Sequence, residues 1–126
     1  NPHLVFFVDD AELVALETLG PKLEHHPLFP ERTNVEIVEV LSPEKLCLRV
    51  WERGAGITSA CGTGACAALV VAHRRGLAER RAEMMLDGGT LVVEWLADDH
   101  VLLAGPVATS FTGELGAEFD QSLLKS

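Results

Sequence analysis

The sequence predicts one α/β domain of the α+β type, in which short, mostly antiparallel strands wrap around one central buried helix. Residues 65–73 are apolar around the whole circumference of a helix, which is typical of a helix enclosed by other structure. Most other apolar runs are short and separated by turn dipeptides such as Asp-Gly and Gly-Pro, which is typical of strands. The 126 residues suffice for one hydrophobic core and are too few for two, so residues 1–126 are expected to form a single domain.

The N-terminal third predicts one strand and one helix. Residues 4–8 form a short apolar run, which is typical of a buried strand. Asp9 or Asp10 is the predicted N-cap of the helix that follows. Its apolar face consists of leucines at helical spacing, interrupted near the Gly-Pro pair at residues 20–21: Leu13, Leu16, Leu19 and Leu23.

The middle of the chain predicts a hairpin followed by a glycine-rich loop. Residues 35–40 alternate between apolar and acidic side chains, and residues 46–51 form a second strand-like run. Because Ser42 and Pro43 predict a turn between them, the two strands are expected to pair. Residues 54–64 are rich in glycine and small side chains, so they predict a loop that leads into the buried helix.

The last third predicts four further strands joined by tight turns. The strands are residues 82–86, 91–95, 101–104 and 107–111, with Asp-Gly-Gly, Asp-Asp and Gly-Pro between them. Residues from 121 onward carry no clear pattern. Gly76, which precedes these four strands in the chain, is the predicted C-cap of the buried helix.

Charge and composition exclude several classes of partner. The chain has ten Lys and Arg residues and 19 Asp and Glu residues, which gives a formal net charge of -9. A negative charge of this size repels nucleic acid and anionic membranes. No apolar run reaches the roughly 20 residues that a membrane span needs. Three cysteines are an odd number without the density of a disulfide scaffold, which favours a reducing compartment such as the cytoplasm.

Cys61 stands between small residues at the expected start of the buried helix. The first N–H groups of a helix lack internal partners and attract a carboxylate, a phosphate or a thiolate. That field predicts that the pKa of Cys61 falls from about 8.5 towards neutrality. Gly62 and Gly64 allow a ligand to approach the backbone, and Thr63 adds a hydroxyl donor. From the residues alone, a cysteine that is merely buried remains an equal alternative.

Four separated motifs resemble the C-terminal-half signatures of the diaminopimelate epimerase family. They are Asn-Pro-His at residues 1–3, Asn-Val at residues 34–35, Glu-Arg-Gly-Ala-Gly at residues 52–56 and Ala-Cys-Gly-Thr-Gly at residues 60–64. Their order and separations are those of the family, and the resemblance extends to about residue 114. It implies that residues 1–126 fold as one half of such an enzyme, equivalent to its C-terminal domain.

The resemblance implies a reaction that needs no cofactor and no metal. The family interconverts LL- and meso-2,6-diaminopimelate, in lysine and peptidoglycan precursor synthesis. The thiolate of one cysteine removes the α-proton, and a second cysteine returns a proton on the opposite face. The residues that match the family's catalytic groups are Cys61, Glu52 and His3. Those that match its substrate-binding groups are Asn1, Asn34, Arg53, Gly62 and Thr63.

One family feature is missing from this chain. The family's first half carries the other catalytic cysteine in a Gly-Asn-Gly setting, and no segment here resembles it. We therefore expect an N-terminal domain to supply that cysteine, and we expect the isolated 126 residues not to epimerise diaminopimelate at a useful rate. The complete enzyme is expected to be a cytoplasmic protein and, as the family suggests, a homodimer.

Three other functions stay open at this point. Proline racemase-like and phenazine-biosynthesis-like isomerases share the family's fold and differ in substrate. A non-catalytic module that uses the glycine-rich loop to bind an anion is a second alternative. A thiol redox or metal protein using Cys61 and Cys66 is a third, and it is disfavoured because five helical positions separate the two thiols by roughly 140°. Cys47 and Cys66 are interpreted as structural cysteines.

Overall fold

A curved sheet encloses one helix on its inner face and carries a second helix on its outer face. The computed structural model describes residues 1–116. Its strands are β1 (His3–Phe7), β2 (Asn34–Ser42), β3 (Lys45–Glu52), β4 (Gly56–Thr58), β5 (Arg81–Leu86), β6 (Gly89–Trp95) and β7 (Val101–Ala104). Its helices are α1 (Leu16–Glu24) and α2 (Gly62–Arg74).

The strands are ordered β1-β2-β3-β5-β6-β7, with β4 paired to β3 beside this path. The β1–β2 and β3–β5 pairs are parallel, and the other pairs are antiparallel. Helix α2 contacts every strand of the six-strand path, so the sheet wraps around it. The predicted fold class, with mostly antiparallel strands around a central helix, is confirmed.

Alternate residues of β2 face the two helices, as the period of a strand requires. Val38 belongs to the core cluster that contains α2, whereas Val35 and Ile37 belong to the cluster around α1. Since Glu36 lies two positions from Val38, its side chain is on the α2 face. This acid therefore enters the main core.

Helix α2 begins where the position of Cys61 predicted. Its N-cap is Cys61, and Gly62 is its first residue. Residues 62–64, which the sequence assigns to the preceding loop because two glycines have low helix propensity, form the first turn of the helix. One side of the helix is fully buried and the rest half-buried or exposed, so the expected burial on all sides is wrong. The helix ends at Arg74 with Arg75 as its C-cap, so the predicted C-cap, Gly76, lies one residue further on. Its φ of 74° closes a Schellman turn.

Helix α1 departs more strongly from the prediction. Neither Asp9 nor Asp10 caps it, because the helix begins at Leu16 behind Ala15, which makes no side-chain capping hydrogen bond. Leu13 lies outside the helix and is 82% exposed. The predicted interruption at residues 20–21 is also wrong, since the Gly-Pro pair lies inside a continuous helix.

The predicted strands agree with the structure, with one addition and one error. Residues 56–58, predicted as loop, form the short strand β4 because they pair with the end of β3. Residues 107–111, predicted as a strand, have no strand partner and no regular structure among the residues described. Their side chains are exposed, with Val107 at 97% and Phe111 at 87%. The segment from residue 121 lies outside the described residues.

Candidate active site

Four segments that are distant in sequence meet at one edge of the sheet. The parallel strands β1 and β2 both begin there, with His3 opposite Asn34. The antiparallel strand β3 ends there with Glu52, and Cys61 begins α2 beside the same edge. Strand direction therefore gathers the predicted catalytic residues and one predicted substrate-binding residue.

Cys61 caps α2 with its own sulfur. Its backbone is extended, with φ at -142° and ψ at 105°, so the side chain turns back over the first turn. The Gly64 N–H donates to Cys61 Sγ at 3.4 Å, and Thr63 Oγ1 lies 3.7 Å from the same sulfur. The residue is only 8% exposed. The thiol therefore lies in the ring of N–H groups at the positive end of the helix.

The expected lowering of the Cys61 pKa is wrong for the residues described. Burial raises the pKa of this thiol, and the nearby carboxylates Glu52 and Glu36 add to the rise. The Gly64 N–H and the Thr63 hydroxyl act in the opposite direction without overcoming burial. In this state Cys61 is a thiol at neutral pH and is suited to donate a proton.

His3 is held by an acid that the sequence analysis missed. Its Nδ1 lies 2.7 Å from Glu36 Oε1, and the Glu36 side chain is fully buried. Burial raises the pKa of the Glu36 carboxyl, while the hydrogen bond and charge of His3 oppose that rise and Glu52 adds to it. An acidic residue within the buried run at residues 35–38 is the sequence signal that could have revealed it.

Glu52 and Asn34 are both fixed by hydrogen bonds at the sheet edge. Thr58 donates its hydroxyl to Glu52 Oε1 at 2.6 Å across the β3–β4 pair. Asn34 Oδ1 accepts the Arg53 N–H at 2.8 Å, which brings two predicted substrate-binding residues together. The Arg53 guanidinium in turn donates to the carbonyl of Glu31 at 2.9 Å.

A second buried acid, Glu24, supports the loop after β3 and was also missed. Its carboxylate accepts hydrogen bonds from Trp51 Nε1 at 2.7 Å, from the Gly54 N–H at 3.0 Å and from Arg32 Nη1 at 3.2 Å. The Trp51 hydrogen bond is the main cause that lowers the pKa of Glu24, and burial opposes it. Glu24 thus ties the end of α1 to the loop that carries Arg53.

The remaining predicted residues border the start of α2 or β1. Gly62 is half-buried, and a Cβ there would lie 2.9 Å from Leu103 Cδ2. Thr63 and Asn1 are exposed. The N–H groups of Gly62 and Thr63 have no intrahelical acceptor, and the first turn of α2 contains no acid, so an anion is favoured there.

The described residues lack the features of a metal site and of a membrane-spanning helix. Residues 1–116 hold no group of three or more His, Cys, Asp or Glu side chains arranged to bind a metal ion. Neither helix in that range is long and apolar enough to cross a membrane. Cys47, Cys61 and Cys66 are all free thiols.

Solved structures define the class of fold. A phenazine biosynthesis protein of the PhzF family from Enterococcus faecalis superimposes with a TM-score of 0.55 at 14% identity, over 74% of this chain and 33% of its own. A PhzF-family protein from Bacillus anthracis gives 0.54 at 16% identity, over 79% and 33%. At such identities the likeness defines the fold, which is the PhzF-like fold.

Sequence comparison identifies the family within that fold class. The family model for diaminopimelate epimerase matches residues 1–110. The diaminopimelate epimerase of Rhodospirillum centenum is 66% identical over 115 residues, and that of Acidiphilium cryptum is 62% identical over 117. These alignments cover 91% and 93% of this chain. The chain belongs to the diaminopimelate epimerase family, and it spans 40–42% of the length of these two relatives.

Proposed function

We propose that this chain is the C-terminal domain of a diaminopimelate epimerase, and that it interconverts LL- and meso-2,6-diaminopimelate together with an N-terminal domain. The observation that carries the proposal is the sulfur of Cys61, which caps α2 at the sheet edge shared by His3, Asn34 and Glu52. Family membership and coverage of about 40% of the relatives' length support it.

The reaction requires a base on one face of the α-carbon and an acid on the other. In our proposal the thiolate of a cysteine in the N-terminal domain takes the α-proton, and the C–H bonding pair stays on the substrate. The Cys61 thiol then gives its proton to the opposite face and becomes a thiolate. The raised pKa of Cys61 supports this assignment, because it keeps the resting residue protonated. In the reverse reaction the two cysteines exchange roles.

The groups around Cys61 would stabilise the negative charge that develops on the substrate, a task that a cofactor performs in many other racemases. An α-proton beside an ammonium and a carboxylate is a very weak acid, so the developing negative charge needs preorganised donors. We assign that function to the N–H groups of Gly62 and Thr63, which would receive the substrate's α-carboxylate. His3 and Glu52 would set the protonation of the thiols.

The far end of diaminopimelate is itself an amino acid, with its own carboxylate and ammonium. We assign Asn1, Asn34 and Arg53 to this end of the substrate. The hydrogen bond between Asn34 and the Arg53 backbone supports a shared role, because it places both on one side of the loop after β3. The Arg53 guanidinium is the natural partner for the distal carboxylate.

The proposal has consequences for the whole protein. The active site is complete only when the N-terminal domain closes over α2, so the isolated chain should turn over little substrate. We further propose that the complete enzyme acts in the cytoplasm as a homodimer. Three free thiols support a reducing compartment.

The test is reconstitution with a matched cysteine control. The chain is combined with the N-terminal domain of a relative such as the Rhodospirillum centenum enzyme, and conversion of LL- to meso-diaminopimelate is followed. We expect activity in the wild type and in Cys66→Ala, which alters a neighbouring thiol of the same helix, and loss in Cys61→Ala. Activity that survives Cys61→Ala would contradict the mechanism. Anion binding without any conversion would favour the non-catalytic module.

A further inference from the structure

Glu36 is a buried acid to which the proposed reaction assigns no part. Its side chain is 0% exposed, and among residues 1–116 its Oε2 has no hydrogen-bond partner. A buried carboxyl with an unpaired oxygen costs free energy, so an apolar side chain would suit the core better. Packing of the core therefore does not explain why residue 36 is a glutamate.

The position of Glu36 suggests that reason. On one side its Oε1 lies 2.7 Å from His3 Nδ1. On the other side it reaches the first turn of α2, where a Cβ on Gly64 would lie 3.0 Å from Glu36 Oε1 and 3.2 Å from Cys61 Sγ. The missing side chain of Gly64 therefore allows the carboxyl to approach the helix start. Imidazole, carboxyl and thiol form one continuous cluster.

We propose that Glu36 is a positioning residue for His3, an inference that rests on the proposed function. The Glu36 carboxyl and His3 Nδ1 share one proton, and this leaves Nε2–H as the hydrogen-bond donor of the ring. Whether the shared proton is closer to Nδ1 or to Oε1, the pair is neutral overall and Nε2 keeps its hydrogen. Nδ1 is committed to Glu36, so Nε2 is the ring nitrogen available to a thiolate or a substrate carboxylate.

The pair resists losing that hydrogen because of its surroundings. Deprotonation would leave a net negative charge on a fully buried carboxyl with one oxygen unpaired. The other ionisable groups near Glu36 are Glu52 at the end of β3 and Cys61 at the start of α2, and each adds negative charge when ionised. The first turn of α2 contains no acid, and α1 packs on the opposite face of β2. The surroundings therefore favour the form of the pair in which His3 Nε2 carries its hydrogen.

The direct test is ¹⁵N NMR of the histidines in the chain assembled with the N-terminal domain, for wild type and Glu36→Gln. Glutamine keeps the size and a hydrogen bond to Nδ1 but cannot share a proton. In the wild type at pH 8 we expect the ¹⁵N shifts to show one tautomer of His3, with the hydrogen on Nε2. In Glu36→Gln we expect a mixture of the two neutral tautomers, because the glutamine amide can either donate to Nδ1 or accept from it. Identical His3 ¹⁵N spectra in the two proteins would overturn the proposal.

Two further variants keep the result interpretable. Glu39→Gln is the matched control, because Glu39 lies on the opposite face of β2 and accepts the Ala11 N–H at 2.9 Å. It should leave the His3 signal unchanged. If Glu36→Gln does not fold, Glu36→Leu removes the same partner with an apolar side chain of similar volume, a change that buried ionic sites often tolerate. It should likewise leave His3 with a mixture of tautomers.

The steady-state constants separate this inference from the proposed function. If both hold, Glu36→Gln lowers kcat about tenfold with little change in KM, while Glu39→Gln leaves both constants unchanged. If the tautomer change occurs in a protein that never epimerises diaminopimelate, the His3 assignment stands and the proposed function fails. If the enzyme is active and Glu36→Gln retains the wild-type kcat, the positioning role is wrong.

Discussion

Gly20 lies where α1 crosses the indole ring of Trp51, and Gly20→Ala is the sharpest stability test of the fold. A Cβ at residue 20 would lie 2.6 Å from both Cε3 and Cγ of Trp51, and closer still to Cδ2. These atoms belong to the base of a rigid ring, so the ring cannot swing aside cheaply. Moving it would break the hydrogen bond from Trp51 Nε1 to Glu24, which is 2.7 Å long.

The expected cost combines three effects of known size. Alanine is favoured over glycine inside a helix by about 1 kcal/mol, which stabilises the variant. Overpacking a core costs about 1–3 kcal/mol. A lost hydrogen bond to a charged group costs about 1.5–3 kcal/mol more. The net prediction for Gly20→Ala is a loss of about 1.5–5 kcal/mol in the free energy of unfolding.

Thermal unfolding followed by far-ultraviolet circular dichroism measures this loss. We expect the melting temperature of Gly20→Ala to fall by roughly 5 °C or more. Gly113→Ala is the control, since a Cβ there has nothing within 4 Å and its effect should be negligible. A Gly20→Ala protein as stable as wild type, or more stable as helix propensity alone predicts, would refute this packing of α1 on Trp51.

Three further predictions follow from the buried polar groups. Because its pKa is lowered, the Glu24 carboxylate stabilises the fold at pH values above the ordinary glutamate pKa of about 4.3. This contribution disappears as the pH falls through the lowered pKa. The free energy of unfolding, measured against pH in the acid range, should therefore fall less steeply in Glu24→Gln. Thr58→Val removes the 2.6 Å hydrogen bond to Glu52 and should lower kcat about tenfold with little change in melting temperature. An unchanged kcat would mean that the position of Glu52 does not affect the reaction. Because burial raises the pKa of Cys61, iodoacetamide should alkylate it slowly at pH 7, and the rate should keep rising with pH through pH 9. Mass spectrometry of digests measures this rate, and rapid alkylation at pH 7 would contradict a protonated thiol.

Much of the architecture could be predicted because period and turn chemistry agree along most of the chain. The alternation at residues 35–40 and the turn dipeptides of the last third each identify strands that the structure contains. The errors fall where tertiary contacts override local pattern. Residues 56–58 become a strand because β3 offers them a partner, whereas residues 107–111 have the pattern of a strand and no partner.

The candidate site was predictable in its motifs and not in its supporting groups. His3, Glu52 and Cys61 stand in recognisable motifs, and strand direction brings them to one edge. Glu24 and Glu36 stand outside those motifs, and only the three-dimensional structure reveals that each is buried and hydrogen-bonded to the site. The pKa of Cys61 was expected to fall because the sequence reveals the helix start but not the depth of burial or the two nearby carboxylates.

Exchange of the α-proton of LL-diaminopimelate in deuterated water, followed by NMR, tests the central claim most directly. It is measured with the chain assembled with the N-terminal domain, and with the same assembly carrying Cys61→Ala. In the wild type, deuterium should enter the α-position and the meso isomer should accumulate. In Cys61→Ala the meso product should be lost. Formation of meso-diaminopimelate at the wild-type rate without Cys61 would contradict the account, because the proton would then reach the second face from another group.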